Sequence, residues 1–180
     1  MKHFFFMIFL SALVVEVQAK TPSRAAIVSC LSAQSTSKSV KWVPLPTEKI
    51  YSEDDYLEGF NAIYYIKSGN KPIGYAERGH VKAVIYGNQL FPIAQAHALA
   101  GFHTRPTELD PFSADWATVA DQSGTHVCIS FPYGDLGQSG SFQKNRSAYL
   151  IAIGKINGPR ILYSATGNLD ALQMNQGEQK

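Results

Sequence analysis

The chain is most informative for what it lacks. It contains only two cysteines, Cys30 and Cys128, so neither a multi-cysteine zinc site nor a disulfide-dense scaffold can be built from it. There is no glycine-rich phosphate loop, no Gly-x-Ser-x-Gly elbow and no carboxylate pair at an informative spacing, which removes the usual signatures of nucleotide binding and serine hydrolysis. Charge of one sign is also scarce. Sixteen Lys and Arg against 14 Asp and Glu leave a net +2, and no basic stripe tracks a phosphate backbone, so nucleic acid is not an expected partner. After residue 19 no apolar run is long enough to span a bilayer.

Before residue 19 the pattern differs. Lys2 and His3 form a short basic start, "FFFMIFLSALVV" from Phe4 to Val15 is apolar, and "VQA" at Val17 to Ala19 places small residues where a signal peptidase reads. Glu16 interrupts the run, which is shorter than the roughly 20 apolar residues of a spanning helix. The expectation is a signal peptide over residues 1–19, cleaved after Ala19, leaving no stable membrane anchor and a periplasmic or secreted protein. Cleavage removes one base (Lys2) and one acid (Glu16) and leaves the net charge unchanged. The remaining length suits one β-rich domain over residues 20–172. Residues 173–180, "QMNQGEQK", lack the apolar anchors of a packed element and read as a frayed tail.

Within that domain "KTPSRAAIVSCLSAQ" reads as a helix capped by Thr21, with Pro22 at its first position and Ala25, Ile27, Val28 and Leu31 on its apolar side. "VKWVPLP" reads as an extended edge piece, because Pro44 and Pro46 cannot donate to a ladder. "SEDDYLEGF" suggests a helical turn capped by Ser52 and ending near Gly59. Six runs rich in β-branched and aromatic residues follow: "NAIYYIK", "IGYAER", "HVKAVIY", "HVCISF", "SAYLIAI" and "RILYSA". Short Gly-containing turns separate several of them, too short for crossover connections. "IAQAHALAGF" suggests a short helix ending at Gly101. In "HVCISF", Val127, Ile129 and Phe131 face one way and His126, Cys128 and Ser130 the other. The fold class is α+β and β-rich: a mostly antiparallel sandwich or half-open barrel with an N-terminal helix.

Part of the chain, from about 114 to 167, resembles a known family. Trp116, a turn at Gly124, Val127-Cys128 and Pro132 in one strand, Asn145-Arg146 after a polar loop, and Tyr149 with Ile153 in the next strand recur in the exported invasion-associated locus B-like proteins of α-proteobacteria. The resemblance implies a periplasmic, non-enzymatic β-domain.

Cys128 decides between chemistry and architecture. His126 and Cys128 share one strand face, yet a stable zinc site needs three or four ligands, and His80, His97 and His103 lie in unrelated segments. No metal and no cofactor is expected. A Cys–His hydrolase would use Cys128 as nucleophile, His103 or His126 as base, and Asp110 or Asp115 to orient it. Against it, Cys128 sits in mid-strand, away from the helix N-terminus that commonly lowers a thiol pKa, and His126 is poorly aimed at the sulfur. The economical reading for an exported chain with no third cysteine is a Cys30–Cys128 disulfide.

The long polar loop "FPYGDLGQSGSFQKNRS", residues 132–147 at its core, carries Tyr133, Phe142, Lys144 and Arg146, and aromatics with Arg supply many interface hot spots. These four residues are the candidate contacts to a protein partner whose identity the sequence does not give. The function expected is an exported, non-catalytic binding module, linked to host interaction or to the cell envelope. Alternatives are an inhibitor or immunity-type protein that blocks an enzyme with the 132–147 loop, and the hydrolase built on Cys128.

Overall fold

The computed structural model describes residues 21–102, 108–133, 144–154 and 159–172. The expected leader (1–19) and tail (173–180), His103, Phe142 and most of the 132–147 loop lie outside them.

Helix α1 spans Arg24–Leu31. Its cap is Ser23 rather than Thr21: the Ser23 hydroxyl accepts the Ala26 N–H at 3.1 Å, so Pro22 precedes the cap instead of opening the helix. Eight residues are too few to hold a helix in water unaided, and this one is buried at Ala26, Ile27, Val28, Cys30 and Leu31. It lies on a six-stranded sheet of order β1-β8-β9-β10-β11-β7. These strands are β1 (Lys41–Pro44), β7 (His97–Ala98), β8 (Asp115–Asp121), β9 (Gly124–Pro132), β10 (Asn145–Ile153) and β11 (Leu162–Asn168). All pairs are antiparallel except β11 with β7. As the prolines required, β1 stands at an edge.

The second sheet is a five-stranded antiparallel meander, β2 (Tyr51–Leu57), β3 (Phe60–Ser68), β4 (Lys71–Arg78), β5 (Val81–Tyr86) and β6 (Gln89–Pro92), in chain order. The strand period of two sorts the core into layers. Val127, Ile129, Phe131, Tyr149 and Ile151 meet Tyr64, Ile66, Tyr75 and Val84 between the sheets, and the Tyr64 ring stacks on Trp116 at 5.0 Å. Cys128, Ala148, Leu150, Ala117 and Val119 face α1. A third layer, Phe60, Ala62, Tyr65, Ala76, Ala83 and Ile85, lies on the far face of the meander with Tyr51, Tyr56 and Leu90 packed against it.

That third layer exists because the meander curls. Between Ala62 and Tyr64 the register with β4 slips by one residue, so Ile63 bulges outward. Gly74 permits the bend: a Cβ there would stand 2.2 Å from the Tyr64 carbonyl oxygen and 2.4 Å from Tyr65 Cβ. The curl carries β2 towards the far strands, and the Tyr56 hydroxyl reaches the Gly87 carbonyl in the β5–β6 turn at 3.5 Å. β2 and β6 do not pair. The architecture is therefore a sandwich with one half-open, curled sheet.

Two helical expectations are corrected. "SEDDYLEGF" is strand β2 followed by a turn, because Tyr51 and Tyr56 pack on Tyr65 at ring distances of 5.2 and 5.5 Å while Ser52, Glu53, Asp54 and Asp55 face solvent. "IAQAHALAGF" contains only a 3₁₀ turn, Ile93–Gln95. Its next residues pair His97 with Tyr163 and Ala98 with Ser164, and the Leu99 N–H continues to the Ser164 carbonyl at 2.9 Å. The sheet edge outcompetes a helix there.

The start of α1 is tied to the β8–β9 turn by a small polar network. The Ser23 hydroxyl donates to the Asp121 carboxylate, the Ser123 N–H donates to Asp121 Oδ1 at 2.7 Å, and the Ser23 N–H donates to Ser123 Oγ at 3.3 Å. Burial alone would raise the Asp121 carboxyl pKa; hydrogen bonds from Ser123 and Ser23, with His126 nearby, outweigh it and hold the group below its ordinary value. A carboxyl depressed on folding contributes stability above its unfolded pKa of about 4 and loses it as pH falls through the folded value. We therefore expect Asp121→Asn to cost about 1 kcal/mol at pH 7, a partly exposed carboxylate being screened. The difference from wild type should begin to shrink as pH falls past about 4 and vanish only once pH is below the depressed folded value. Urea melts from pH 2 to 7 check this; a deficit that persists unchanged at pH 2 would contradict it.

Candidate functional site

The Cys128 sulfur is bonded to Cys30, with the two Cα atoms 5.7 Å apart and both residues wholly buried. In this form it presents no thiolate for attack. His126 is also wholly buried, on the α1 face of the sheet beside Asp121. Asp110 caps a turn by accepting the Phe112 N–H at 3.0 Å, and Asp115 receives the Arg146 guanidinium. His80 lies in the β4–β5 turn and His97 in β7, both exposed and on different sheets. Among the described residues, no three His, Cys, Asp or Glu side chains gather as a metal site would require. Among the described residues, the sequence-derived hydrolase residues are thus not brought together around a free sulfur; His103 lies outside them.

What the fold does assemble is the end of the six-stranded sheet from which the 132–147 loop leaves. Its base is fixed by Pro132 pairing with Arg146 and by the Tyr133 N–H donating to the Asn145 carbonyl at 2.9 Å. The Asn168 amide, in β11, donates to Asn145 Oδ1 at 2.8 Å, and Lys144 Nζ meets Asp170 at 2.7 Å.

Arg146 is more deeply involved. Its guanidinium donates to Asp115 in β8 and to Ser130 Oγ in β9, through Nε at 3.3 Å and Nη2 at 3.1 Å. The Ser130 hydroxyl in turn donates to the Leu31 carbonyl at 3.2 Å, one of the acceptors a helix end leaves without an intrahelical partner. Three strands meet on the Arg146 side chain, which is only 12% exposed, and the C-terminus of α1 joins them through Ser130. Arg146, expected at a partner surface, is a clamp beneath it.

Of the four expected contacts, Tyr133 is 38% exposed and Lys144 is exposed and paired with Asp170. The sequence reading missed Phe112. It is 68% exposed, the most open large hydrophobic among the described residues. It does not swing freely. Trp116 Nε1 donates to the Pro111 carbonyl at 3.0 Å, Asp110 caps the turn, and the Phe112 ring stands edge-on to Tyr64 at 5.5 Å. Because Asp115 pairs with Ser130, the turn before β8 and the residue after β9 share one end of the sheet. A phenylalanine inside "DPFSAD", where turn chemistry rather than strand alternation prevails, was the available signal.

Compared with family models, with curated proteins and with solved structures, the chain gives no match. The reading of this end therefore rests on its geometry.

Arg146 and Lys144 should separate cleanly by stability. Arg146→Leu removes a mostly buried cation from Asp115 and Ser130 and is expected to cost about 1–3 kcal/mol. Lys144→Ala breaks an exposed pair and should change stability by less than about 0.5 kcal/mol. Denaturant melts of the two variants measure both; equal losses would show that Arg146 is no clamp.

Proposed function

We propose that this protein is an exported, periplasmic or secreted, protein-binding module without a catalytic centre, which docks its partner through the end bearing the 132–147 loop. The observation that carries this reading is Phe112: a large aromatic held 68% exposed on a braced turn, at the same end of the sheet as the exposed Tyr133 at the loop base. Water-exposed aromatics on a rigid support lose little conformational freedom on binding, which is the property of an interface anchor. Export is supported by the order of basic, apolar and small residues over 1–19 and by a disulfide, a bond that persists in oxidising compartments. The residues shared with the invasion-associated locus B-like proteins point the same way.

A second reading, an inhibitor or immunity-type protein, uses the same end. It is favoured by the base of the loop being secured to β9, β10 and β11 at once, since a loop that plugs an active site gains from a fixed root. Both readings make the loop end the contact surface and differ in what the contact does.

The test is site-specific photo-crosslinking in the native host. Crosslinkers at positions 112 and 133 should give a discrete adduct, and one at Asn88, in the β5–β6 turn, should not. Phe112→Asp with Tyr133→Asp should weaken recovery of the same adduct at least about tenfold, given hot-spot costs of about 2 kcal/mol or more, with thermal melting unchanged. Equal adducts from position 88, or an unaffected double variant, would refute the docking end.

A further inference from the structure

At the opposite end of the sandwich, where β10 finishes at Ile153, the two sheets part. The cleft between them has a volume of about 360 Å³, within the range of small-molecule sites. Its lining includes Tyr86 of β5, Thr118 of β8, Ser68, Asn70, Lys71 and Gly154. The lining holds hydroxyls, an amide and a cation, and no acidic side chain.

Arg160 is not in this lining but borders it from a neighbouring hollow, and brings a second cation to its edge. Its guanidinium lies 5.2 Å from the centre of the Tyr86 ring, Lys71 Nζ lies 5.6 Å from the same centre, and Arg160 Nη2 donates to the Gly154 carbonyl at 3.2 Å. The ion pairs among the described residues are Lys144–Asp170 and Arg146–Asp115, so neither Lys71 nor Arg160 is neutralised by a carboxylate there. Glu58 borders a separate hollow with Arg160 and makes no such pair. Arg160 Nε is buried and has no hydrogen-bond partner among the described residues, although a buried donor ordinarily has one.

A cation–π contact explains one cation on a tyrosine. Two on the same ring, with a donor left over and hydroxyls beside them, form an arrangement that an anion completes. We propose that this cleft binds a small anionic ligand of about monosaccharide size, carrying a carboxylate or a phosphate, with Lys71 and Arg160 holding the charge and Ser68, Asn70 and Thr118 the polar remainder. The site is separate from the loop end and stands whether or not that end docks a protein.

The test is an NMR amide titration of the oxidised protein at low ionic strength with inorganic phosphate, glucuronate and glucose in parallel. Saturable shifts at Tyr86, Thr118 and Gly154 are expected with at least one anion and not with glucose, and the anion that saturates identifies the group recognised. Lys71→Gln with Arg160→Gln should weaken that binding at least about tenfold, the loss expected when charged hydrogen-bond donors are removed. Should the double variant fold poorly, Lys71→Gln alone, an exposed change, must still weaken it. No saturable shift with either anion, an equal response to glucose, or unchanged affinity in the folded variant would overturn the proposal.

Discussion

Helix α1 has eight residues, too few to persist alone, and the Cys30–Cys128 bond determines that it sits on β9. The helix is attached at three places along its length. Its N-cap Ser23 is held on Asp121, its last turn by the disulfide at Cys30, and its last carbonyl, that of Leu31, by Ser130. The sheet beneath presents small residues, Ala117, Ala148 and Ala165, that let the helix approach closely. Closing a loop with a sequence separation of 98 residues restricts the unfolded chain and is worth about 4–5 kcal/mol. That is comparable with the whole net stability of many domains of this size.

The attachment reaches further than the helix. Ser130 bonds the end of α1 and also accepts from Arg146, which grips Asp115. The root of the 132–147 loop is thereby built on the same side chains that dock the helix. A disulfide buried 0% exposed at both cysteines thus braces, through two hydrogen-bonded residues, a surface it never touches. The curled meander forms the rest of the sandwich. It supplies Tyr64 behind Phe112 at one end and Tyr86 with its two nearby cations at the other, so the two surfaces of interest depend on the same inter-sheet packing.

Much of this was legible in the sequence where one signal dominated. Alternation in "HVCISF" placed Cys128 on the opposite face from Val127 and Ile129, and the structure has it so. The cysteine pairing followed from arithmetic and compartment. Strand β8 was hidden because its inward residues Ala117 and Val119 are small and its neighbours mixed, which weakens the period. The stretch Tyr51–Leu57 misled because its acidic, well-capped appearance is local, whereas its fate is set by Tyr65, brought beside it by pairing with the next strand. Arg146 was read as a surface contact from its place after a polar loop. Its burial depends on Asp115 and Ser130, brought beside it only by strand register. Phe112 stands out only once the turn that holds it is built.

The central claim is that the Cys30–Cys128 bond, more than the packing of either sulfur, anchors α1 and all that rests on it. Denaturant unfolding of Cys30→Ala, Cys128→Ala and the double variant tests it most directly. If one bond is lost in each case, either single change should cost about 4–5 kcal/mol and the double little more, the strong non-additivity of a shared interaction. Single losses that are small, or that simply add in the double variant, would contradict the account and leave the two cysteines as independent core residues.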